Sequence, residues 1–462
     1  MLETGAQWPP DRERIEGYRR FECLYRGDHR SAFKEKVASL LFNKGGDGLT
    51  WLALDYPRTI VDIPADLLVG APPVISYEDK TLNAAWQDIA ERSRFDACLL
   101  ELAQDKGMRG DAVIEARGLG ENVLIEPKPA YCYFPELSLD NVREVRGEAL
   151  AWSRGFEGMT VVRVDRYTPG KISREAYVLD GMKMGRRIIG AQLSRVLGPG
   201  VPEESRTGVE RSTLVHVPNT RGSNDFFGRS DLGGGLVTLF EEVDERLSQI
   251  VRILDKHASP KMAGPANLID QDGNVNLLAD YFGVSGNQPV PQYLTWDAQL
   301  IAAFEAYKAV KDEIFRHSQI SPLLAGYVNG ASYDSGRAYK MQLAPTLAKT
   351  ARKGLYLDAG LREAVRLAVA IYTGKSYSDT PAPNIRWRDG LPKDLQEMAT
   401  TNGQRIEKGT LSRRSAIMSE MDCDEATADN EIARIDAENK PLAPSLMAPE
   451  INTSTPEHEA LG

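Results

Sequence analysis

The N-terminal part of the chain repeats hydrophobic residues at steps of three and four, with charged residues between them. This period is that of an amphipathic helix and predicts helical structure over residues 11–43, interrupted near Gly27. The pattern returns over residues 60–69, where it ends at Gly70, and again over residues 80–106. The chain is therefore predicted to begin with three helical stretches.

The period of the hydrophobic pattern changes to two between residues 110 and 219. Segments such as AVIEARG, MTVVRVDRYT and TLVHVPN alternate polar and apolar residues or are rich in β-branched ones, and Gly, Pro and Asp separate them. Such runs predict strands joined by turns. We therefore expect an antiparallel β-rich unit in this region.

A strongly amphipathic helix is predicted from about residue 230 to residue 257. Ser230 or Asp231 can cap its N-terminus, although the three glycines at 233–235 weaken the first turn. The predicted buried stripe consists of Leu236, Leu239, Phe240, Val243, Leu247, Ile250, Val251 and Leu254. The predicted solvent face carries Glu241, Glu242, Asp244, Glu245 and Arg252.

A compact excursion separates this helix from a second helix of similar length. Residues 258–295 predict a short hairpin that turns at Asp272 and Gly273, followed by an extended return segment. Residues 296–317 predict the second helix. Its predicted apolar face is formed by Leu300, Ile301, Phe304, Tyr307, Ile314 and Phe315.

The last third of the chain is predicted to be mainly helical. A loop rich in Gly, Ser and Asn leads into a long helix over residues 336–372, in which Pro345 is expected to bend or break the helix because it removes a backbone hydrogen bond. Residues 391–439 give a further helical region, and the composition from residue 441 onward is typical of a disordered end. The predicted fold class is α+β, mainly helical.

Composition and charge narrow the function. The chain has 462 residues, of which 42% are hydrophobic and 26% charged, as in a globular protein of two or three structural units. No apolar run is long enough to cross a bilayer, and the first residues lack a signal-peptide segment, so we expect synthesis in the cytoplasm. The net charge of −10 argues against a domain that grips nucleic acid through its phosphates. It is compatible with a conduit, because a wall that repels phosphates does not hold the polymer.

The sequence contains parts of known catalytic and cofactor-binding motifs, but each motif lacks a required residue. Residues 374–376 (Gly-Lys-Ser) end like a phosphate-binding loop, but Val369 stands where its glycine is required. The acidic residues of 270–274 begin like a calcium loop, which fails at Val275 and at Tyr281. The acidic face of the helix at 230–257 could serve a metal-dependent nuclease, although solvation is the commoner role of such a face. We predict no catalytic residue, no cofactor site and no metal site.

Several segments resemble the portal proteins of tailed double-stranded DNA bacteriophages, the head-to-tail connector family. The step Gly-Arg-Ser-Asp-Leu at 228–232 resembles the family's opening of a long helix, and Ser-Gly-Arg-Ala-Tyr-Lys at 335–340 resembles another helix start. TIVDIPADLLVGAPPVIS, EPKPAYCYFPEL and the Gly-Thr-Leu-Ser step at 409–412 are similar to further family segments and follow in a similar order. The triple glycine at 233–235 and Tyr339, where Leu is commoner, depart from the pattern and put the helix boundaries in doubt.

The resemblance implies a portal-type architecture of wing, stem, clip and crown. The implied parts are a wing over 1–230, stem helices over 231–257 and 296–317, a clip over 258–295, a tunnel loop and kinked channel helix over 318–375, a helical crown over 376–440, and a disordered tail over 441–462.

By the same resemblance the chain is a structural, non-enzymatic virion component. It would form a dodecameric ring at one capsid vertex, the channel for packaging and ejecting the genome. The implied partners are the terminase large subunit, a head-completion or adaptor protein, the major capsid and scaffolding proteins, and double-stranded DNA that passes without sequence recognition. No membrane partner is implied.

The resemblance also assigns candidate residues. The tunnel-loop residues Val328, Asn329, Tyr333, Asp334 and Ser335 would contact passing DNA, together with Lys308 and Lys311 of the second stem helix. An ordinary surface loop, and lysines that only maintain solubility, are the alternatives. The clip residues Asp270, Asp272, Asn274 and Tyr281 would contact the terminase or adaptor.

Two other functions are compatible with the sequence. One is a nucleic-acid-processing hydrolase that uses the acidic residues, and the other is a different capsid-associated or scaffold-binding protein. A closed ring fits only the portal interpretation, whereas a monomer with metal-dependent nuclease activity fits the hydrolase.

Overall fold

The computed structural model describes residues 2–43, 51–118, 120–258, 261–263, 292–294, 300–327, 336–388, 395–421, 423 and 425–438. The chain divides into two compact units, Met1–Gly390 and Leu391–Gly462. The larger unit contains helices and sheets, so the α+β prediction is confirmed. None of the helices among the described residues is long and apolar enough to cross a bilayer.

The predicted N-terminal helices are present. They are α1 (Arg12–Tyr25), α2 (His29–Ala32), α3 (Lys34–Asn43) and α4 (Tyr56–Val69). The chain breaks between α1 and α2 at Gly27, where φ is +78°, a value that glycine adopts without steric cost.

The helix predicted over 80–106 is two helices. A short strand, β1 (Val74–Ser76), precedes α5 (Lys80–Ser93) and α6 (Phe95–Arg109). Arg94 separates the two helices in the left-handed conformation, with φ of +49°. The apolar spacing continues through this break, which is why the pattern did not reveal it.

The β-rich prediction is confirmed, and every strand pairing in this region is antiparallel. The strands are β2 (Asp111–Arg117), β3 (Leu124–Lys128), β4 (Tyr133–Leu137), β5 (Val145–Phe156), β6 (Met159–Thr168), β7 (Lys171–Asp180), β8 (Lys183–Ile188), β9 (Glu204–Arg206) and β10 (Leu214–Pro218). One sheet has the order β10-β2-β3, and a six-stranded sheet has the order β4-β5-β6-β7-β8 with β9 paired to β7. The helix α7 (Gly190–Leu197) was not predicted.

The longest hairpin of the large sheet shows why the chain turns where it does. Strands β5 and β6 are joined by Glu157 and Gly158, which both have positive φ, +47° and +77°. Two positive φ values match a two-residue turn whose twist suits antiparallel strands. The turn brings Phe156 opposite Met159 and fixes the register of the two strands.

The remaining elements of the larger unit are mostly long helices. They are α8 (Leu236–Ala258), β11 (Lys261–Ala263), β12 (Gln292–Leu294), α9 (Leu300–Ser318), α10 (Gly336–Thr373) and β13 (Asn384–Arg386), which pairs with β1. The smaller unit contains α11 (Leu395–Glu407), α12 (Arg413–Met421) and α13 (Glu425–Glu438). Helical structure was predicted in all of these helices.

Two hydrophobic cores position α8, α9 and α10. The C-terminal half of α10 packs with α5, α6 and the three-stranded sheet, and at Gly360 a Cβ would lie 2.4 Å from Cγ2 of Val217. The glycine therefore permits the close approach of α10 to β10. The second core joins α4 to α8 and α9 through fully buried side chains such as Ile60, Phe240 and Ile314.

Candidate functional site: the α8/α9 pair and its junction with α10

Helices α8 and α9 form an antiparallel pair. They pack against each other, and the strands that follow α8 and precede α9 are paired antiparallel, with Lys261 opposite Leu294 and Ala263 opposite Gln292. The two helices that were predicted to bracket an excursion are therefore neighbours. The predicted hairpin turn and the candidates Asp270, Asp272, Asn274 and Tyr281 lie outside the described residues.

Burial falls along this pair with distance from the body of the unit. On α9, Ile314 and Phe315 are buried, whereas Phe304 is 39% exposed and Ile301 78% exposed. On α8, Leu254 is 42% exposed. The predicted stripes are thus correct near the core, but they continue as apolar surface that the described residues do not cover.

The predicted solvent face of α8 contains one error, because Asp244 is completely buried. Its carboxylate pairs with the His29 imidazole and accepts a hydrogen bond from the backbone N–H of Leu54 at 3.1 Å. The other His29 nitrogen lies 3.2 Å from the carbonyl oxygen of Leu24. Burial raises the pKa of Asp244, and the His29 hydrogen bond opposes that rise. The pair fastens α8 to the N-terminal helices.

The other acidic residues of α8 are paired separately. Glu242 pairs with Arg246 at 2.6 Å, and Glu245 pairs with Lys36 at 3.0 Å. In the described part of the chain no group of three or more His, Cys, Asp or Glu side chains could hold a metal ion. Nothing in this geometry favours the nuclease interpretation of the acidic face.

Asp231 was predicted as a possible helix cap, and the structure assigns it a different role. Helix α8 begins only at Leu236, after the three glycines, and Ser230 Oγ accepts from the N–H of Leu232 at 3.0 Å. The Asp231 carboxylate instead binds the ammonium groups of Lys353 at 2.5 Å and Lys349 at 3.2 Å, both on α10. Burial alone would raise the pKa of Asp231, but attraction to the two lysines outweighs it and holds the pKa below the usual range.

A third lysine completes this junction. Lys106 on α6 is fully buried and donates to the carbonyl oxygen of Lys353 at 2.7 Å. Burial and repulsion from Lys353 lower the pKa of Lys106 well below its ordinary value. Burial also lowers the pKa of Lys349; repulsion from Lys353 acts in the same direction, against the attraction of Asp231. Asp231 therefore faces buried amino groups of which two, Lys106 and Lys349, lose their protons more readily than an ordinary lysine.

The chain entering the predicted tunnel loop is held by aromatic residues. The hydroxyl of Tyr56 on α4 lies 3.0 Å from that of Tyr307 on α9 and 3.5 Å from that of Tyr327. Phe315 packs edge-on against the Tyr327 ring at 5.4 Å. Burial and these hydroxyl contacts raise the pKa of Tyr56. The cluster fixes the chain at Tyr327.

The two candidate lysines of α9 have different surroundings. Lys311 lies over the Tyr327 ring at 4.7 Å, a cation–π contact, and so joins the aromatic cluster. Lys308 is exposed on α9. The tunnel-loop candidates Val328, Asn329, Tyr333, Asp334 and Ser335 lie outside the described residues.

Helix α10 continues through Pro345 without a break. Proline leaves the carbonyl of the residue four positions earlier without its helical donor. Both Pro345 and Met341 are exposed, so water can satisfy that carbonyl. Pro345 therefore does not break α10, contrary to one form of the prediction.

A second buried polar cluster was not found from the sequence. Asp111 accepts hydrogen bonds from Tyr18 at 2.5 Å and from the backbone of Gly228 at 2.7 Å, and it pairs with His216 at 2.6 Å. The His216 ring is stacked on Phe226 at 4.7 Å. These contacts join α1, β2 and β10 to the segment before α8. The residues of this cluster are far apart in sequence, so no local sequence motif predicts it.

Comparisons with known proteins give structural neighbours only. No protein-family model and no curated protein matches the chain. The neck of a native GTA particle computed with C12 symmetry is similar with a TM-score of 0.47 at 13% identity, covering 82% of this chain and 91% of that chain. The virion of a native gene transfer agent (GTA) particle gives 0.45 at 12%, covering 82% and 97%. The neck of an empty GTA particle computed with C6 symmetry gives 0.48 at 13%, covering 82% and 97%.

Proposed function

We propose that the chain is the portal subunit of a tailed double-stranded DNA phage. In this proposal copies of the chain form a dodecameric ring at one capsid vertex, and DNA enters and leaves the capsid through the ring. The chain performs no catalysis. The proposal rests on the ordered sequence resemblance and on the α8/α9 pair.

The observation that carries the proposal is the uncovered apolar surface on the outer half of this pair. Ile301, Phe304 and Leu254 are exposed in the single chain, although they continue the stripes that are buried nearer the core. Full burial of one such side chain contributes about 1.5–3 kcal/mol. A ring of identical subunits covers a surface of this kind on every copy, because each subunit contacts the next through two different faces and the rotation closes.

In the proposed ring α8 and α9 are the stem, and the residues between them are the clip. The clip, with Asp270, Asp272, Asn274 and Tyr281, is where the terminase large subunit and later an adaptor protein bind. The wing, residues 1–230 with 318–375, faces the major capsid and scaffolding proteins, and residues 376–440 form the crown.

The charge of the chain suits passage of DNA better than retention. With a net charge of −10 per chain, long-range repulsion of phosphates keeps the duplex from adhering to the wall. Exposed cations such as Lys308 provide isolated, salt-dependent contacts that read no bases. The proposed tunnel loop, residues 326–335, includes Tyr327 near its start, and the aromatic cluster holds this residue in place.

The test is the mass of the purified protein in solution together with electron microscopy viewed along the particle axis. The expected result is a closed ring with a central opening. A monomer or a compact dimer without an opening would refute the proposal.

A matched pair of variants tests the contact surface itself. Ile301→Asp places a charge on the outer part of the stem and is expected to abolish the ring while the circular dichroism spectrum stays unchanged. Leu139→Asp places the same charge on a side chain that is 96% exposed at the end of β4 and is expected to leave the ring intact. Rings that survive Ile301→Asp would contradict the assignment of α9 to the ring contact.

A further inference from the structure

A cavity of about 510 Å³ opens beside the junction of α8, α9 and α10. Its wall is formed by the segment before α8, by the end of α9 and by one face of α10. The charged residues of this wall are Arg221, Asp231, His317, Lys349, Arg352 and Lys353. Among these residues Arg221, Arg352 and the two lysines are the basic side chains, and Asp231 is the carboxylate that faces them.

The single carboxylate is already shared. Asp231 accepts from Lys353 at 2.5 Å, from Lys349 at 3.2 Å and from the Asn219 amide at 3.0 Å. Lys349 makes one more hydrogen bond, to the carbonyl oxygen of Ser318 at 3.0 Å. Burial lowers the pKa of Lys349, and repulsion from Lys353 and Arg352 lowers it further. Lys353 and Asp231 compensate each other, whereas none of the described residues supplies a carboxylate to Arg221 or Arg352, so the positive charge of these two arginines remains uncompensated.

Donor capacity is also left over in the two arginines. Arg352 is exposed, and one of its terminal nitrogens donates to Oε1 of Gln319 at 2.5 Å. Arg221 lies on the same wall, and one of its terminal nitrogens donates to the carbonyl oxygen of Phe226 at 3.2 Å, which leaves the other terminal nitrogen as a donor. The hydroxyl-bearing Thr220 lies on the same wall. Guanidinium groups bind the oxygens of phosphate with two parallel hydrogen bonds, which makes them selective for this geometry.

We propose that this cavity binds a phosphate oxyanion, with Arg352 and Lys349 as its principal ligands and Arg221 and Thr220 supporting them. An anion that accepts several hydrogen bonds compensates the two arginines and accepts their remaining N–H groups together with that of Lys349. The oxyanion comes either from free phosphate or from the phosphodiester backbone of DNA. The site is complete within one chain, so the inference goes beyond the proposed ring and does not depend on it.

The test measures binding of inorganic phosphate to the full chain by calorimetry and by its effect on the thermal unfolding midpoint. Sodium chloride at the same ionic strength is the reference, because it removes general screening from the comparison. Arg352→Gln is expected to weaken phosphate binding about tenfold, the loss of about one charged hydrogen-bonded contact. Arg195→Gln is the matched control: it removes the same charge from an exposed ion pair with Glu157 and should leave binding unchanged.

Because Arg352 is exposed, its replacement leaves the hydrophobic core intact, and Arg352→Lys provides a second check. This variant keeps the charge but loses the paired donors, so its affinity should lie between those of the original protein and Arg352→Gln. The inference is overturned if phosphate stabilises the protein no more than chloride does, or if Arg352→Gln and Arg195→Gln lose affinity equally.

The source of the oxyanion is separated by competition. If a short DNA duplex displaces bound phosphate, and does so equally well from the original protein and from Arg195→Gln, the site is assigned to the phosphodiester backbone. Phosphate that stays bound in the presence of the duplex assigns the site to the free anion. Both results support the oxyanion site and differ only in its source.

Discussion

Among the described residues Asp231 is the only carboxylate that pairs with Lys349 or Lys353 on α10, and Asp231→Asn removes it. The ammonium groups of Lys349 and Lys353 then stay buried without an anionic partner. Breaking a buried ion pair by removing one partner typically costs 3–5 kcal/mol. This cost has an upper limit, because a buried lysine can release its proton instead of staying charged. Deprotonating one lysine at pH 7 costs about 5 kcal/mol. We therefore expect Asp231→Asn to lower the free energy of unfolding by about 3–5 kcal/mol at neutral pH.

The pH dependence of this loss gives a sharper test. In the variant the folded pKa values of the lysines lie below their unfolded values, so the unfolded chain binds more protons. Stability then rises with pH in the window below the unfolded lysine pKa. The original protein already has Lys106 and Lys349 with lowered pKa values, but Asp231 opposes the shift at Lys349. The difference between variant and original should therefore shrink as the pH is raised from 7 towards 10.

The assay is urea unfolding followed by circular dichroism at several pH values. Asp225→Asn is the matched control, because Asp225 forms an exposed pair with Arg229 and its loss should change stability by no more than about 0.5 kcal/mol. Combining Asp231→Asn with Lys353→Met should recover part of the loss, since one of the unpaired charges is removed. A loss below 1 kcal/mol for Asp231→Asn, or a loss that grows with pH, would refute the assignment of the junction to this ion pair.

Three further changes probe the same framework. His29→Gln removes the imidazole that hydrogen-bonds the buried Asp244 side chain and should cost about 1–3 kcal/mol in urea unfolding, with no change in the secondary structure of the folded protein. Gly110→Ala should cost about 1–3 kcal/mol or more, because φ is +95° and a Cβ would lie 2.7 Å from backbone atoms, whereas Gly235→Ala, in open space, should leave the unfolding midpoint unchanged or raise it. Tyr56→Phe removes the hydroxyl shared by two other tyrosines and should cost about 1 kcal/mol in the same assay.

The sequence predicted the helices and the β-rich region because both depend on local periodicity. It missed the break at Arg94, because a single left-handed residue does not interrupt the apolar spacing of the helices on either side. It placed α8 too early at Ser230, although the glycines that delay the helix had been recognised as weakening its first turn. Local signals thus gave the elements but not their exact ends.

The errors at Asp244 and Asp231 have a different origin. Each carboxylate is buried because its partner, His29 for Asp244 and Lys353 for Asp231, is far away in sequence and close in space. A charged residue is expected on the surface unless such a partner is present, and one sequence does not reveal the partner. The exposure of Leu254 has a different cause: it continues the apolar stripe of α8, and none of the residues that the structure describes covers it.

The buried charges lie where the proposed stem meets the proposed channel helix, and this position explains their presence better than stability does. An apolar contact is non-directional and would let α10 slide against the start of α8 at little cost. The paired carboxylate and ammonium groups of Asp231 and Lys353 hold one geometry, because charge-assisted hydrogen bonds depend on distance and angle. In the proposed ring we expect such a junction to transmit a displacement of α10 to the stem. We therefore expect an apolar replacement of the whole junction to equal the original in stability and to give rings of irregular shape in electron micrographs.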